Sequence, residues 1–102
     1  MKKTILNQIK NAVCKYLNVD EDLMFSGFRE SRLQDARTYI CYLAVQQGVD
    51  ELFISRYMGY IEARYSTRRY WAVKNHIQNY GNSQVCTDIE KLTEILQIVE
   101  PV

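Results

Sequence analysis

A chain of 102 residues, 47% apolar and 25% charged, fits one globular domain large enough to bury a core without metal or disulfide support. One Pro, four Gly and an odd set of three Cys (Cys14, Cys41 and Cys86, with no CxxC or Cys/His spacing) argue against a linker, a zinc site or a disulfide framework. The net charge of +1 is unevenly placed: residues 1–51 are neutral, 52–80 carry +4 and 81–102 carry −3.

The first residues, MKKTILNQIKNAVCKYL, place apolar groups on a helical period and lack the continuous apolar run of a secretory signal or a bilayer span. A cytoplasmic protein away from membranes is expected. Helix one is expected from Thr4, as cap, to Leu17, with Asn18 as its stop and Asp20 capping a short helical turn. Residues 25–30 are aperiodic and read as a loop. Ser31 with Gln34 has the form of a capping box for a central helix reaching about Gln47, where Gly48 ends it. Asp50 is expected to cap a third helix that Gly59 ends.

A longer helical pattern follows after a turn, with Ser66 as the best cap and a start near Glu62 as the alternative. Trp71, Val73, Ile77 and Tyr70 are expected inside. Thr87 with Glu90 suggests a second capping box for a last helix running to about Val99, with Pro101 beyond. The expected fold is all-α, a single domain over 1–102 with five or six helices. Residues 50–79 have the form of a helix-turn-helix, in which the second helix offers its first turns to a DNA major groove. The excess positive charge falls on this segment, and phosphate neutralisation by Lys and Arg supplies the sequence-independent part of DNA affinity.

Little in the sequence reads as catalytic. The single His, His76, has no nucleophile motif around it, and neither a glycine-rich phosphate loop nor a metal-ligand cluster is visible. No enzyme activity, cofactor or metal is expected. Arg68 and Arg69 lie early in the fourth helix, where a cation is unfavourable unless an anion binds there. Seven of the aromatic residues cluster mid-chain: Tyr39, Tyr42, Tyr57, Tyr60, Tyr65, Tyr70 and Trp71. They serve either as core or as contacts to a partner.

Several stretches taken together resemble the C-terminal duplex-DNA-binding domain (domain IV) of the bacterial chromosomal replication initiator DnaA. Residues 5–23 look like its first helix and the turn that follows. SRLQDARTYICYLA, residues 31–44, looks like its basic loop leading into a central helix, and ISRYMG, residues 54–59, like its next helix. The resemblance implies an all-helical, Trp-repressor-like fold. It also implies a set of DNA contacts. Arg37 would contact the backbone phosphates, with Thr38 at the following polar position, and Arg29 and Arg32 would lie where the basic loop reaches the minor groove. Ser66 and Thr67 would form the hydroxyl pair of the recognition signature, Arg64 would stand for its arginine, and Tyr65, Arg68 and Arg69 would lie beside them. The Asp-His pair of that signature is missing, Arg68 stands where Val is expected, and the loop has Gly27, Phe28 and Glu30 in place of dense basic residues. Neither recognition of the family's origin box nor ATP binding carries over. The expectation is a diverged, stand-alone module that binds double-stranded DNA, initiator-like or regulatory. The alternative is a protein-interaction module that keeps the fold without the DNA.

Overall fold

The computed structural model describes residues 2–81 and 83–97. Its elements are α1 (Lys2–Leu17), a 3-10 turn (Glu21–Phe25), α2 (Ser31–Gln46), α3 (Glu51–Met58), α4 (Arg64–Asn79) and α5 (Gln84–Leu96). The fold is all-α, as expected.

The central helix is α2. Tyr39 to Ala44 are six consecutive buried residues, so this helix is covered on every side. It packs against α1 and α4, with α3 and the 3-10 turn on its flanks, while α5 lies across α1 and α4. Leu6, Ile9 and Val13 of α1, Leu33, Ile40 and Leu43 of α2, Ile54 of α3, Val73 of α4 and Leu92 of α5 meet in one core. The three cysteines are free and buried, as expected. Burial raises the Cys14 thiol to about 11, with Glu21 adding to the shift. Burial raises the Cys41 thiol to about 12.

Local chemistry sets most boundaries. Asn18 (φ 56°) closes α1 in the left-handed region, which Asn tolerates better than most residues. The Asp20 carboxylate accepts from the Asp22 amide at 2.9 Å and starts the 3-10 turn. Gly48 (φ 81°) and Gly59 (φ 76°) end α2 and α3 in a conformation that a Cβ would strain.

Several expected caps are corrected. Thr4 lies inside α1, which is already helical at Lys2. Glu30 holds the cap position of α2 without a side-chain bond, and Ser31 is the first helical residue. Gln34, the expected partner in that box, instead accepts from the Arg69 guanidinium at 2.9 Å, a charged donor from another helix. Asp50 does occupy the cap position of α3, as expected, but makes no side-chain cap bond. α5 begins at Gln84, earlier than Thr87 implied, because the Ser83 hydroxyl accepts from the Cys86 amide at 3.4 Å. Val99, Pro101 and Asn82 lie outside the described residues.

Trp71 was expected inside and is 48% exposed. The inner stripe of α4 is Ser66, Tyr70, Val73 and Ile77, and Trp71 is turned about 100° from Tyr70. Among the described residues, no helix is long and apolar enough to cross a membrane.

Candidate nucleic-acid interface

α4 joins α3 through residues 59–63 and contains no carboxylate between Arg64 and Asn79. Its outward side carries Arg64, Arg68, Trp71, Ala72, Asn75, Gln78 and Asn79, all exposed. The Lys74 ammonium lies over the Trp71 ring at 5.0 Å and near the Tyr70 ring at 5.7 Å. This face thus offers guanidinium, ammonium, amide and indole groups at helical spacing. Trp71, Lys74, Asn75 and Gln78 were absent from the expected contact set. Their spacing from Arg64 (i+7, i+10, i+11, i+14) was the signal that marked them.

The structure divides the expected contact residues. Arg68 is exposed, with its guanidinium 5.8 Å from the Tyr65 ring centre. Arg64 is also exposed, 5.4 Å from the same ring, and pairs with Glu62 on the surface. That pair is solvated and weak, so Arg64 is easily released to a phosphate. Arg29 and Arg32 are exposed beside the loop at residues 26–30.

Arg37 takes a different part from the one implied. It is 6% exposed, and its guanidinium donates to the carbonyls of Leu23, Met24, Ser26 and Phe28 at 2.8–3.2 Å. It pins the 3-10 turn and its loop to α2, so the side chain is committed inward and not to a phosphate. The adjacent Asp35 is no partner in this arrangement.

Ser66 is likewise turned inward. It is fully buried, with its hydroxyl 2.7 Å from that of Ser55 and 2.9 Å from the Ala63 carbonyl. The reason is register: Ser66 precedes Val73 by seven residues on the core side of α4. It therefore joins α4 to α3 and is not placed to read a base or to cap the helix, whose cap position is Ala63. The Thr67 hydroxyl donates to the Glu51 carboxylate at 2.6 Å, a second tie between the two helices. Only the Ser66–Thr67 pair of the expected signature is absorbed in this way.

Arg69 and Thr38 meet across α4 and α2. The Arg69 guanidinium donates to Thr38 Oγ1 at 2.9 Å, to Gln34 Oε1 at 2.9 Å and, more weakly, to the Gln34 carbonyl at 3.5 Å. All three acceptors are neutral. The guanidinium also lies 5.6 Å from the Tyr60 ring.

Around Arg69 run two adjoining hollows. One, of about 480 Å³, is lined by Thr38, Tyr60, Tyr65, Arg68, Arg69 and Ala72. The other, of about 290 Å³, lies between the loop at 26–30 and the end of α3, with Arg29, Arg37 and Arg69 in its wall. Tyr60 and Arg69 line both, so the two hollows adjoin as the two parts of a cleft, and the residues lining these two parts include four arginines and no carboxylate; a third, smaller hollow on the far side of Thr38 and Ala72 has Asp35 in its wall. The Tyr60 and Tyr65 rings meet edge to face at 6.3 Å. Burial raises the Tyr60 phenol to about 12, a shift that Cys41 adds to and the charges of Arg69 and Arg37 oppose.

His76 lines neither of these two hollows, and its ring lies 5.0 Å from that of Tyr80. No group of three or more His, Cys, Asp or Glu placed to hold a metal ion is found among the described residues.

Compared with protein-family models, with curated proteins and with solved structures, the chain matches none.

Proposed function

We propose that this chain is a duplex-DNA-binding domain of helix-turn-helix type, with α4 as the helix that enters the major groove. The observation that carries this reading is the outer face of α4: sixteen residues without a carboxylate, exposing Arg64, Arg68, Trp71, Asn75 and Gln78. Arg forks onto guanine, and Asn and Gln onto adenine, so one face holds both readers and phosphate neutralisers. Arg29 and Arg32, exposed on the neighbouring loop and at the start of α2, extend the positive surface towards an adjacent stretch of backbone. The likeness of residues 5–23, 31–44 and 54–59 to the initiator's DNA-binding domain supports the same reading, for a cytoplasmic module in replication or regulation.

Arg37, Ser66 and Thr67 act in this proposal by holding the turn, the loop and α4 in place. Arg69 and Thr38 fix α4 against α2. The groups that touch DNA are then Arg64, Arg68, Lys74, Asn75 and Gln78, with Arg29 and Arg32 at the side.

A second reading, as a docking module for another protein, draws on a different groove. About 530 Å³ between α1, the 3-10 turn and α3 is lined by Lys3, Phe25, Phe53, Arg56 and Tyr57. Phe25 is 49% exposed there, with Lys10 5.6 Å above its ring. Selection from a random duplex library at physiological salt separates the two. A recovered motif whose enrichment is lost in Arg68→Ala supports DNA. Absence of enrichment at every salt concentration supports the protein partner.

A further inference from the structure

The cleft beside α4 holds charges that its own residues leave uncompensated. Arg37 and Arg69 stand in its wall, and every hydrogen-bond acceptor they use is neutral: four carbonyls for Arg37, and a hydroxyl, an amide oxygen and a carbonyl for Arg69. A guanidinium has five N–H donors. Arg37 spends four of them on carbonyls. Arg69 makes three such bonds, with the Tyr60 side chain as a further neutral neighbour, so no counter-charge meets it either. Drawing positive charge out of water without a counter-charge is costly, and an anion in the cleft relieves that cost.

The same cleft is aromatic at its other end. Tyr60 and Tyr65 wall the larger hollow, and the Tyr65 ring lies against the guanidiniums of Arg64 and Arg68. The space of about 480 Å³ is within the range of small-molecule sites. A tyrosine face beside an arginine plane is the surface on which unpaired bases stack, and every base has such a face to offer. An anion alone would use the Arg69 end and leave the aromatic end empty. A ligand that is acidic at one end and flat at the other uses both.

We propose that this cleft binds a nucleoside 5′-phosphate unit, the phosphate on Arg69 with Arg29 at the rim, and the base against Tyr65 and Arg68. The unit is either a free nucleotide or an unpaired nucleotide of a nucleic-acid strand. The site shares Arg68 with the outer face of α4 but does not depend on that face entering a duplex.

The test is a titration followed by NMR, watching the Arg69 Nε–H and the backbone amides of Tyr65 and Arg68, with 5′-AMP, adenosine and inorganic phosphate as separate probes. 5′-AMP is expected to shift both ends of the cleft and to saturate about tenfold below either fragment. Arg69→Gln should remove the advantage over adenosine, and Tyr65→Leu the advantage over phosphate. Arg68→Ala, at an exposed position, should weaken 5′-AMP without touching the fold, which circular dichroism checks for all three. No shift at millimolar 5′-AMP, or phosphate binding as well as 5′-AMP, overturns the proposal. A DNA hairpin with one unpaired adenine, set against its fully paired form, identifies the source. A preference lost in Tyr65→Leu assigns the strand, while equal binding with 5′-AMP still bound assigns the free nucleotide. If neither hairpin binds and 5′-AMP does, the duplex reading of α4 fails and this one stands.

Discussion

Two regions of this molecule bury a charge, and they do so differently. On the side where α1, α2 and α5 meet, the Asp88 carboxylate is 5% exposed and accepts from Tyr16 at 2.9 Å, Tyr39 at 2.7 Å and Gln84 at 2.8 Å. These neutral donors enclose it, so the charge has nothing left to recruit. On the side where α2 meets α4 and the loop, Arg69 is also held by neutral groups, but it stands in the wall of an open cleft. Arg37 lies between the two cases, buried like Asp88 yet lining the same cleft as Arg69. A buried charge enclosed by dipoles acts as a structural tie, whereas one left open beside a cavity acts as a binding group.

Removing the ties should cost most. Arg37→Met leaves four carbonyls without their donor and frees the loop, so urea denaturation should show a loss of about 4 kcal/mol. A loss below about 1 kcal/mol would mean that the loop is held by something else. Asp88→Ala strands the Tyr16 and Tyr39 hydroxyls and should cost about 3 kcal/mol, with Asp88→Asn retaining part of it. Ser66→Ala removes the bond between α3 and α4 and should cost about 1 kcal/mol. If it changed DNA affinity and left stability alone, the buried role would be wrong.

Alkaline pH probes the same core. Burial raises the thiols of Cys14 and Cys41 from 9.0 to about 11 and about 12, and the Tyr60 phenol from 10.0 to about 12. Burial and the bond to Asp88 also raise Tyr39. Each group is therefore protonated longer in the folded chain than in the unfolded one. The unfolded chain loses these protons first, so stability is whole below about pH 9 and declines up to about pH 12. Denaturation midpoints at pH 7.5 and 10.5 check the direction, and Cys41→Ala should flatten the decline.

The helices were legible because their signals are local. Asn18, Gly48 and Gly59 mark stops through backbone conformation, and the apolar spacing of α1, α2 and α5 reports their inner faces. The caps were less legible. Ser31 and Gln34 have the form of a box, but Gln34 is drawn to Arg69, 35 positions away in sequence, and no local pattern encodes that competition. The site was legible as a segment and not residue by residue. Arg64 and Arg68 are exposed as their positions imply. Ser66 was readable as inward by its seven-residue spacing from Val73, but its resemblance to a hydroxyl signature pointed the other way. Arg37 is a cation whose burial depends on carbonyls of a loop before it. The acid-free cleft was not visible at all, because it is assembled from Tyr60, Tyr65, Arg69, Thr38 and the loop at 26–30 only when α4 packs on α2.

Binding measurements should show smaller effects than the ties. Arg68→Ala is expected to weaken a preferred duplex by about 1–2 kcal/mol if it reads a base, and Arg64→Ala to weaken all duplexes alike. The most direct test of the proposed interface is the salt dependence of binding to a random-sequence duplex, followed by fluorescence anisotropy for the native chain and for Arg64→Ala/Arg68→Ala. The interface on α4 predicts a linear fall of log K with log salt, and a slope shallower by about two in the double variant. Identical slopes in the two proteins, or no binding at low salt, would contradict it.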